Sequence, residues 1–136
     1  MTAADLALLH GAAFTMPRPW TAAEFADLMA SPLVFVLNAQ GGFVMGRVVA
    51  DEAELLTIAV APDRRGRGIA WALMQRFLDE LAHRNAAHVF LEVAQSNAPA
   101  RALYRKAGFS DGGLRRGYYH DSTGHPFDAI VMTRRI

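Results

Sequence analysis

The sequence contains no cysteine, which removes disulfides and thiolate metal ligands from consideration. It contains no apolar run near the roughly 18 residues that span a bilayer. The first residues carry no basic segment, and Asp5 and His10 interrupt their apolar positions, so no signal peptide is expected. Strong charge of one sign is also missing. The net charge is +1, which makes no global electrostatic case for nucleic acid, and neither a nucleic-acid nor a membrane partner is expected. There is no repeat, low-complexity tract or linker. His83 and His88, like His120 and His125, stand five apart, a spacing that suits neither face of one helix, and no metal is expected. What remains is an ordinary balance, 52% hydrophobic and 20% charged over 136 residues. That reads as one domain, 1–136, at home in a reducing cytoplasm.

The spacing of apolar residues gives a coarse order of elements. Residues 3–12 and 21–30 read as two short helices, the second opened by the capping box Thr21-Ala-Ala-Glu24. Leu33–Leu37 suits a buried strand. Gly41-Gly42 suits a hairpin turn, followed by a strand over Phe43–Ala50. A third strand covers Glu54–Val60, with Leu56, Ile58 and Val60 expected on one face. The period then becomes helical through Ile69, Leu73, Phe77 and Leu81, and this helix is expected to end near Asn85. Ala87–Val93 alternates as a strand. Asn97 can cap a helix over Ala98–Lys106, which Gly108 would end. Leu114–Tyr119 and Pro126–Thr133 read as a last hairpin around Ser122-Thr-Gly124. The order is ααβββαβαββ, a mixed α/β (α+β) fold with a mostly antiparallel sheet flanked by helices.

The segment richest in chemistry is Val60-Ala-Pro-Asp-Arg-Arg-Gly-Arg-Gly-Ile-Ala70. A strand enters it and a long helix leaves it. Gly66 and Gly68 let the backbone curl so that several N–H groups converge at a helix N-terminus, a ready anion site. Arg64, Arg65 and Arg67 oppose the helix dipole there, by about 0.3–1 kcal/mol each, unless an anion sits among them. The segment is not a P-loop, since Gly-x-x-x-x-Gly-Lys-Ser/Thr is absent. Nor is it a dinucleotide fingerprint, because Trp71 stands at the third glycine position.

Arg65-Gly-Arg-Gly68-Ile-Ala70 resembles the acyl-CoA signature of the GNAT superfamily, Gln/Arg-x-x-Gly-x-Gly/Ala, and Ser96-Asn97 with Ala102-Leu-Tyr104-Arg-Lys-Ala-Gly108-Phe109 resembles that family's second signature. Asp51-Glu-Ala-Glu-Leu-Leu-Thr-Ile-Ala-Val60, Leu91-Glu-Val93, Arg115-Arg-Gly-Tyr-Tyr119 and Asp128-Ala-Ile-Val-Met132 are similar to the bacterial ribosomal-protein-alanine N-acetyltransferases of the RimI type. The N-terminal Ala-Ala-Phe14, Pro19-Trp20-Thr and Phe25 are similar to that group too. The resemblance implies the GNAT fold, acetyl-CoA as donor, and acetylation of a protein N-terminus, in the family the N-terminal alanine of small-subunit ribosomal protein eighteen. Three departures stand out. The family's opening strand has no room before the first helix, so one sheet edge is expected to be exposed or differently covered. Gly117 replaces a polar residue, and His120 stands where the family often has proline.

By this resemblance Ile58, Val60, Arg65, Gly66, Arg67, Gly68, Ile69, Ala70 and Asn97 bind the acyl-CoA, the Val60 N–H also facing the oxyanion. Glu92 is the general base, directly or through a water. On its own strand it sits between apolar residues whose burial should raise its pKa. Tyr104, a neutral phenol at pH 7, is the acid that protonates the leaving thiolate. Trp20, Tyr118 and Tyr119 are candidates for lining a peptide groove, although hairpin packing also suits them. Arg115 and Arg116 read as a solvated edge. Two other functions stay open: acetylation of a small amine such as a polyamine or aminoglycoside, and a non-catalytic acyl-CoA-binding module. Asp51, Glu52 and Glu54 would serve either a polyamine or a basic peptide.

Overall fold

A computed structural model describes residues 1–13, 19–120 and 123–136. Phe14 and Ser122, each part of a sequence reading above, lie outside the described residues. The elements follow the expected order: α1 (Ala3–Ala13), α2 (Ala22–Met29), β1 (Val34–Ala39), β2 (Gly42–Val49), β3 (Glu52–Val60), α3 (Ile69–His83), β4 (His88–Ala94), α4 (Ala98–Lys106), β5 (Ser110–His120) and β6 (Pro126–Arg135). The capping box holds. The Glu24 N–H donates to Thr21 Oγ1 at 3.2 Å and the Thr21 N–H to Glu24 Oε1 at 3.1 Å. Helix α3 stops at His83, two residues before the expected end, because Asn85 turns left-handed at φ 61° and satisfies the last carbonyls. The first hairpin turns on Gln40-Gly41, not Gly41-Gly42. Gly42 already pairs with Ala39, and Gly41 takes φ 82°. Strand β5 begins four residues before the expected Leu114, at Ser110.

The sheet runs β1-β2-β3-β4-β6-β5. Neighbours are antiparallel except β3 and β4, which are parallel and pair only through Glu52–Glu54 against His88–Phe90. Beyond Glu54 the two strands part, while β4 stays paired with β6 as far as Ala94.

Two apolar cores cover the two faces. One lies under α3 and α4 and includes Val44, Leu55, Leu73, Phe77, Leu91 and Tyr104. The other lies under α1 and α2 and includes Leu6, Phe25, Phe43, Met45 and Ala59. Strand β3 changes sides partway. Its register with β2 jumps from Met45–Thr57 to Gly46–Leu55, so Leu56 is an extra residue, a β-bulge. This corrects the expected single face for Leu56, Ile58 and Val60. Ala53, Leu55 and Ile58 pack on the α3/α4 side, whereas Leu56 and Ala59 pack on the α1/α2 side.

Candidate active site

Where β3 and β4 part, a cleft of about 700 Å³ passes through the sheet, within the usual 300–1,000 Å³ of small-ligand sites. From the α3/α4 face it is lined by Ile58, Val93, Asn97, Ala100, Leu103 and Tyr104. From the α1/α2 face it is lined by His10, Trp20, Glu54, Thr57 and Glu92, with Tyr118 and Tyr119.

Strand geometry decides what the backbone offers there. Ala61 N–H bonds Gly41 C=O at 2.7 Å. Counting back along an antiparallel ladder makes Gly42–Val60 and Val44–Ile58 non-hydrogen-bonded pairs. The N–H and C=O groups of Ile58 and Val60 therefore point away from β2, into the gap. On β4 the same count starts from Gln95 N–H on Asp128 C=O, 2.9 Å, and turns the backbone of Glu92 and Ala94 toward the gap.

The Gly-rich turn leads from β3 into α3. Gly66 and Gly68 take φ 78° and 76°, which side chains disfavour, and open space surrounds the position of a Cβ at each. The first intrahelical bond runs from Ala72 N–H to Gly68 C=O at 3.0 Å, so helix geometry leaves the N–H groups of Ile69, Ala70 and Trp71 without an intrahelical acceptor. Of the residues expected to bind acyl-CoA, Ile58, Val60, Arg65, Ala70 and Asn97 line the cleft, while Gly66, Arg67, Gly68 and Ile69 form the turn beside it. The Ile69 side chain packs inward on the core. Arg65 reaches back to Ala13 C=O at 3.1 Å. Asn97 caps α4 through the Ala100 N–H at 3.2 Å.

Glu92 and Tyr104 reach the cleft from opposite faces. Tyr104 is 6% exposed and packs 6.0 Å from Phe109. Burial, with a smaller push from Tyr119, raises its pKa, so it stays a phenol. Glu92 has a side chain 14% exposed, and Arg115 stands 3.2 Å from its Oε1. Arg115 lies on the exposed edge expected of it, 53% exposed, and its guanidinium also pairs with Glu92 and lies 5.2 Å over the Tyr118 ring. The Tyr118 hydroxyl hydrogen-bonds the Glu92 side chain, which raises the tyrosine's pKa. The Tyr119 hydroxyl donates to Glu92 C=O at 3.2 Å, and burial raises its pKa in turn.

These contacts exist because β5 is doubly bulged. Between Arg115–Ala129 and Tyr119–Phe127 it fits two extra residues against β6. Gly117 takes φ 61° there and donates its N–H to Asp128 Oδ1 at 2.9 Å. A glycine in place of the polar residue thus suits the bulge that swings both tyrosines over Glu92.

The sequence reading missed His10 and its partner Thr57. His10 is 2% exposed. Its Nε2 lies 3.0 Å from Thr57 Oγ1, and Nδ1 accepts the Trp20 N–H at 3.1 Å. Its ring stacks on Trp20 at 5.2 Å. Burial outweighs the pull of Glu24's charge and pushes its pKa down to about 4. Residues 47 apart carry no local signal of such a pair. The three acidic residues named for an amine or a basic peptide, Asp51, Glu52 and Glu54, do not act as a group. Glu52 pairs with His88 where the two strands still touch, Asp51 C=O receives the Ala87 N–H at 2.6 Å, and only Glu54 of the three lines the cleft.

No helix among the described residues is long and apolar enough to cross a membrane. Comparison with known proteins gives a consistent result. Residues 8–109 match the model of the Acetyltransferase (GNAT) family. The [Ribosomal protein bS18]-alanine N-acetyltransferase of Escherichia coli (strain K12) is 42% identical over 122 residues, 87% of this chain and 82% of that protein. N-alpha-acetyltransferase RimI of Mycobacterium tuberculosis is 36% identical over 135 residues, 93% of this chain and 82% of its own length. The crystal structure of the ribosomal-protein-S18-alanine N-acetyltransferase of Escherichia coli superposes with a TM-score of 0.84 at 36% identity, covering 96% of this chain and 84% of that one.

Proposed function

The chain belongs to the GNAT acetyltransferase family, and we propose that it transfers the acetyl group of acetyl-CoA to the N-terminal α-amine of a protein, with the N-terminal alanine of ribosomal protein bS18 as its substrate. The observation that carries the proposal is the cleft through the parted strands, with Glu92 and Tyr104 reaching it from opposite faces. The reaction sets the enzyme in the cytoplasm, where a ribosomal protein N-terminus is made.

The donor lies on the α3/α4 side. Its pyrophosphate sits on the N–H groups of the Gly66–Ala70 turn with Arg65 and Arg67, and its pantetheine runs along the gap-facing backbone of Ile58 and Val60, with Asn97 opposite. The acceptor lies on the α1/α2 side between Trp20 and Tyr118-Tyr119. An α-ammonium has a pKa of about 7.7–8.0, so a positioned carboxylate removes one readily lost proton. Glu92 takes that proton. The amine nitrogen attacks the thioester carbon, and the Val60 N–H stabilises the oxyanion. Collapse breaks the C–S bond, Tyr104 supplies the proton that makes the CoA thiol, and the nitrogen's second proton passes through water to restore the Tyr104 phenol.

The test is kcat/KM for an Ala-Arg-starting peptide, the same peptide with a blocked N-terminus, and spermidine. The free peptide should be much the best. A better rate with spermidine would make the chain a small-amine acetyltransferase, a function the relatives' names do not favour. Equal acetylation of the blocked peptide would move the target to a lysine side chain. Acetyl-CoA binding without turnover of any amine would leave a non-catalytic module.

A further inference from the structure

The chemistry proposed above leaves one buried polar pair in the cleft wall without a task. Trp20's backbone N–H can only donate, so the His10 Nδ1 that receives it carries a lone pair. A neutral imidazole with a bare Nδ1 has its proton on Nε2. The 3.0 Å contact to Thr57 is then an Nε2–H donating to Oγ1. Thr57 is the acceptor in that bond, and its own hydroxyl proton remains to be given elsewhere. The direction of the relay is fixed by one backbone amide, from Trp20 through His10 to Thr57.

The bulge decides where the relay ends. Thr57 is the residue beside the extra Leu56, and it lines the cleft on the face that carries Glu92 and Trp20. The acyl donor is assigned to the other face. A hydroxyl held as a donor near the base calls for an oxygen acceptor on the incoming amine substrate. A peptide N-terminus has one three bonds from its nitrogen, the carbonyl oxygen of its first residue. A polyamine has none.

We propose that Thr57 is a substrate-binding residue whose hydroxyl donates to the first carbonyl oxygen of the acceptor peptide, and that His10 is the positioning residue that keeps this hydroxyl a donor. The pair thereby selects α-amines of peptides over amines that lack an adjacent carbonyl. This inference rests on the reading of the cleft as the site of N-terminal acetylation.

The experiment is a cycle between enzyme and substrate. One peptide begins with alanine. Its twin has the first amide replaced by a trans-alkene, which keeps the shape and removes the carbonyl oxygen. Wild-type kcat/KM should favour the amide over the alkene, and Thr57→Val should shrink that preference by roughly 10-fold, the usual worth of one hydrogen bond in a dry site. The loss should sit in the peptide KM, with acetyl-CoA affinity unchanged. Thr57→Ser keeps the hydroxyl and should restore the preference. His10→Phe keeps the aromatic stack and should weaken the preference in wild type while adding nothing to Thr57→Val, since two members of one relay do not add. Equal preference in wild type and Thr57→Val overturns the assignment and leaves the acetyltransferase reading intact. Failure of the wild type to acetylate the alanine peptide overturns both.

Discussion

On the α3/α4 side the cleft is walled by the gap-facing amides of β3, the N-terminus of α3 and mostly apolar side chains, among them Ile58, Val93, Ala100 and Leu103. On the α1/α2 side it is walled by side chains held by other side chains. Glu92 is held by Arg115 and Tyr118, Thr57 by His10, and His10 by Trp20. Backbone amides can bind only a phosphate or another amide, and the same donor serves every member of a family. A wall of interlocked side chains can be retuned one residue at a time, and this is where a choice among amines belongs. The contrast predicts that substitutions on the two sides fail differently, the first in donor affinity, with Tyr104 as the exception that reaches across to the chemistry, and the second in acceptor chemistry.

The largest effect should come from Glu92→Gln, which keeps the shape and removes the proposed base. Turnover should fall by roughly 10²–10⁴ with acetyl-CoA affinity unchanged. Tyr104→Phe should also lower turnover at unchanged acetyl-CoA affinity, a smaller loss because only the leaving group's proton is affected. Wild-type turnover in both variants, where chemistry limits the rate, would show that these residues do not carry the reaction.

Gly68→Glu tests the other side. Acetyl-CoA affinity should fall by roughly 100-fold as a carboxylate meets the pyrophosphate and the turn loses its shape. The space around a Cβ is open, but φ 76° is strained for glutamate, so about 1–2 kcal/mol of stability should go as well. Gly68→Ala separates the two effects, since it carries the strain without the charge. Calorimetry giving Gly68→Glu the affinity of Gly68→Ala would remove the turn from donor binding.

His10 links the acceptor wall to pH. The unfolded chain takes up a proton near the ordinary value of about 6.5, and the folded chain only near about 4. The stability that neutral His10 contributes is therefore full above pH ~6.5, falls as pH drops toward 4, and levels off below. Between pH 7 and 5 this amounts to about 2 kcal/mol. Urea unfolding should show that loss in wild type. His10→Gln should be less stable at pH 7 yet lack this slope, and a slope of equal size in the variant would assign it to other groups.

The smallest effect is expected from Arg115→Ala. Its guanidinium is half in solvent, and such pairs contribute about 0–1 kcal/mol to stability. The melting temperature should barely move, whereas kcat/KM for the peptide should fall several-fold as Glu92 loses its lateral support. A drop in acetyl-CoA affinity instead would break the division between the two sides.

The same division explains what could be read from the sequence. The order of elements, both helix caps and the Gly-rich turn were legible because each depends on a few adjacent residues with special backbone needs. Family motifs singled out Glu92 and Tyr104, and both line the cleft. The bulge at Leu56 was not, because one extra residue leaves no mark on an alternating apolar run, and it reversed the faces expected for β3. The pairing of the exposed Arg115 with Glu92 was not legible, because the double bulge of β5 that brings them together is set by pairing with β6. His10 and Thr57 meet only through the packing of α1 on the sheet. Long-range contacts of single side chains have no periodicity to betray them.

The three rungs that join β3 to β4 have a mechanical meaning. The sheet is two panels, β1-β2-β3 and β4-β6-β5, sharing a short seam, and beyond the seam each panel shows the other a row of amides. Apart from the Glu92 C=O, which receives the Tyr119 hydroxyl, those amides have no ladder partner in the opposite panel. A donor with amide groups of its own can lie between the panels as a surrogate strand and complete the sheet, so part of its binding energy becomes cohesion of the protein. Acetyl-CoA at 100 times its Kd should then raise unfolding free energy by about 2.7 kcal/mol. The slowing of amide exchange should concentrate in Leu55–Val60 and Leu91–Ala94, along the line where the panels would otherwise flex apart.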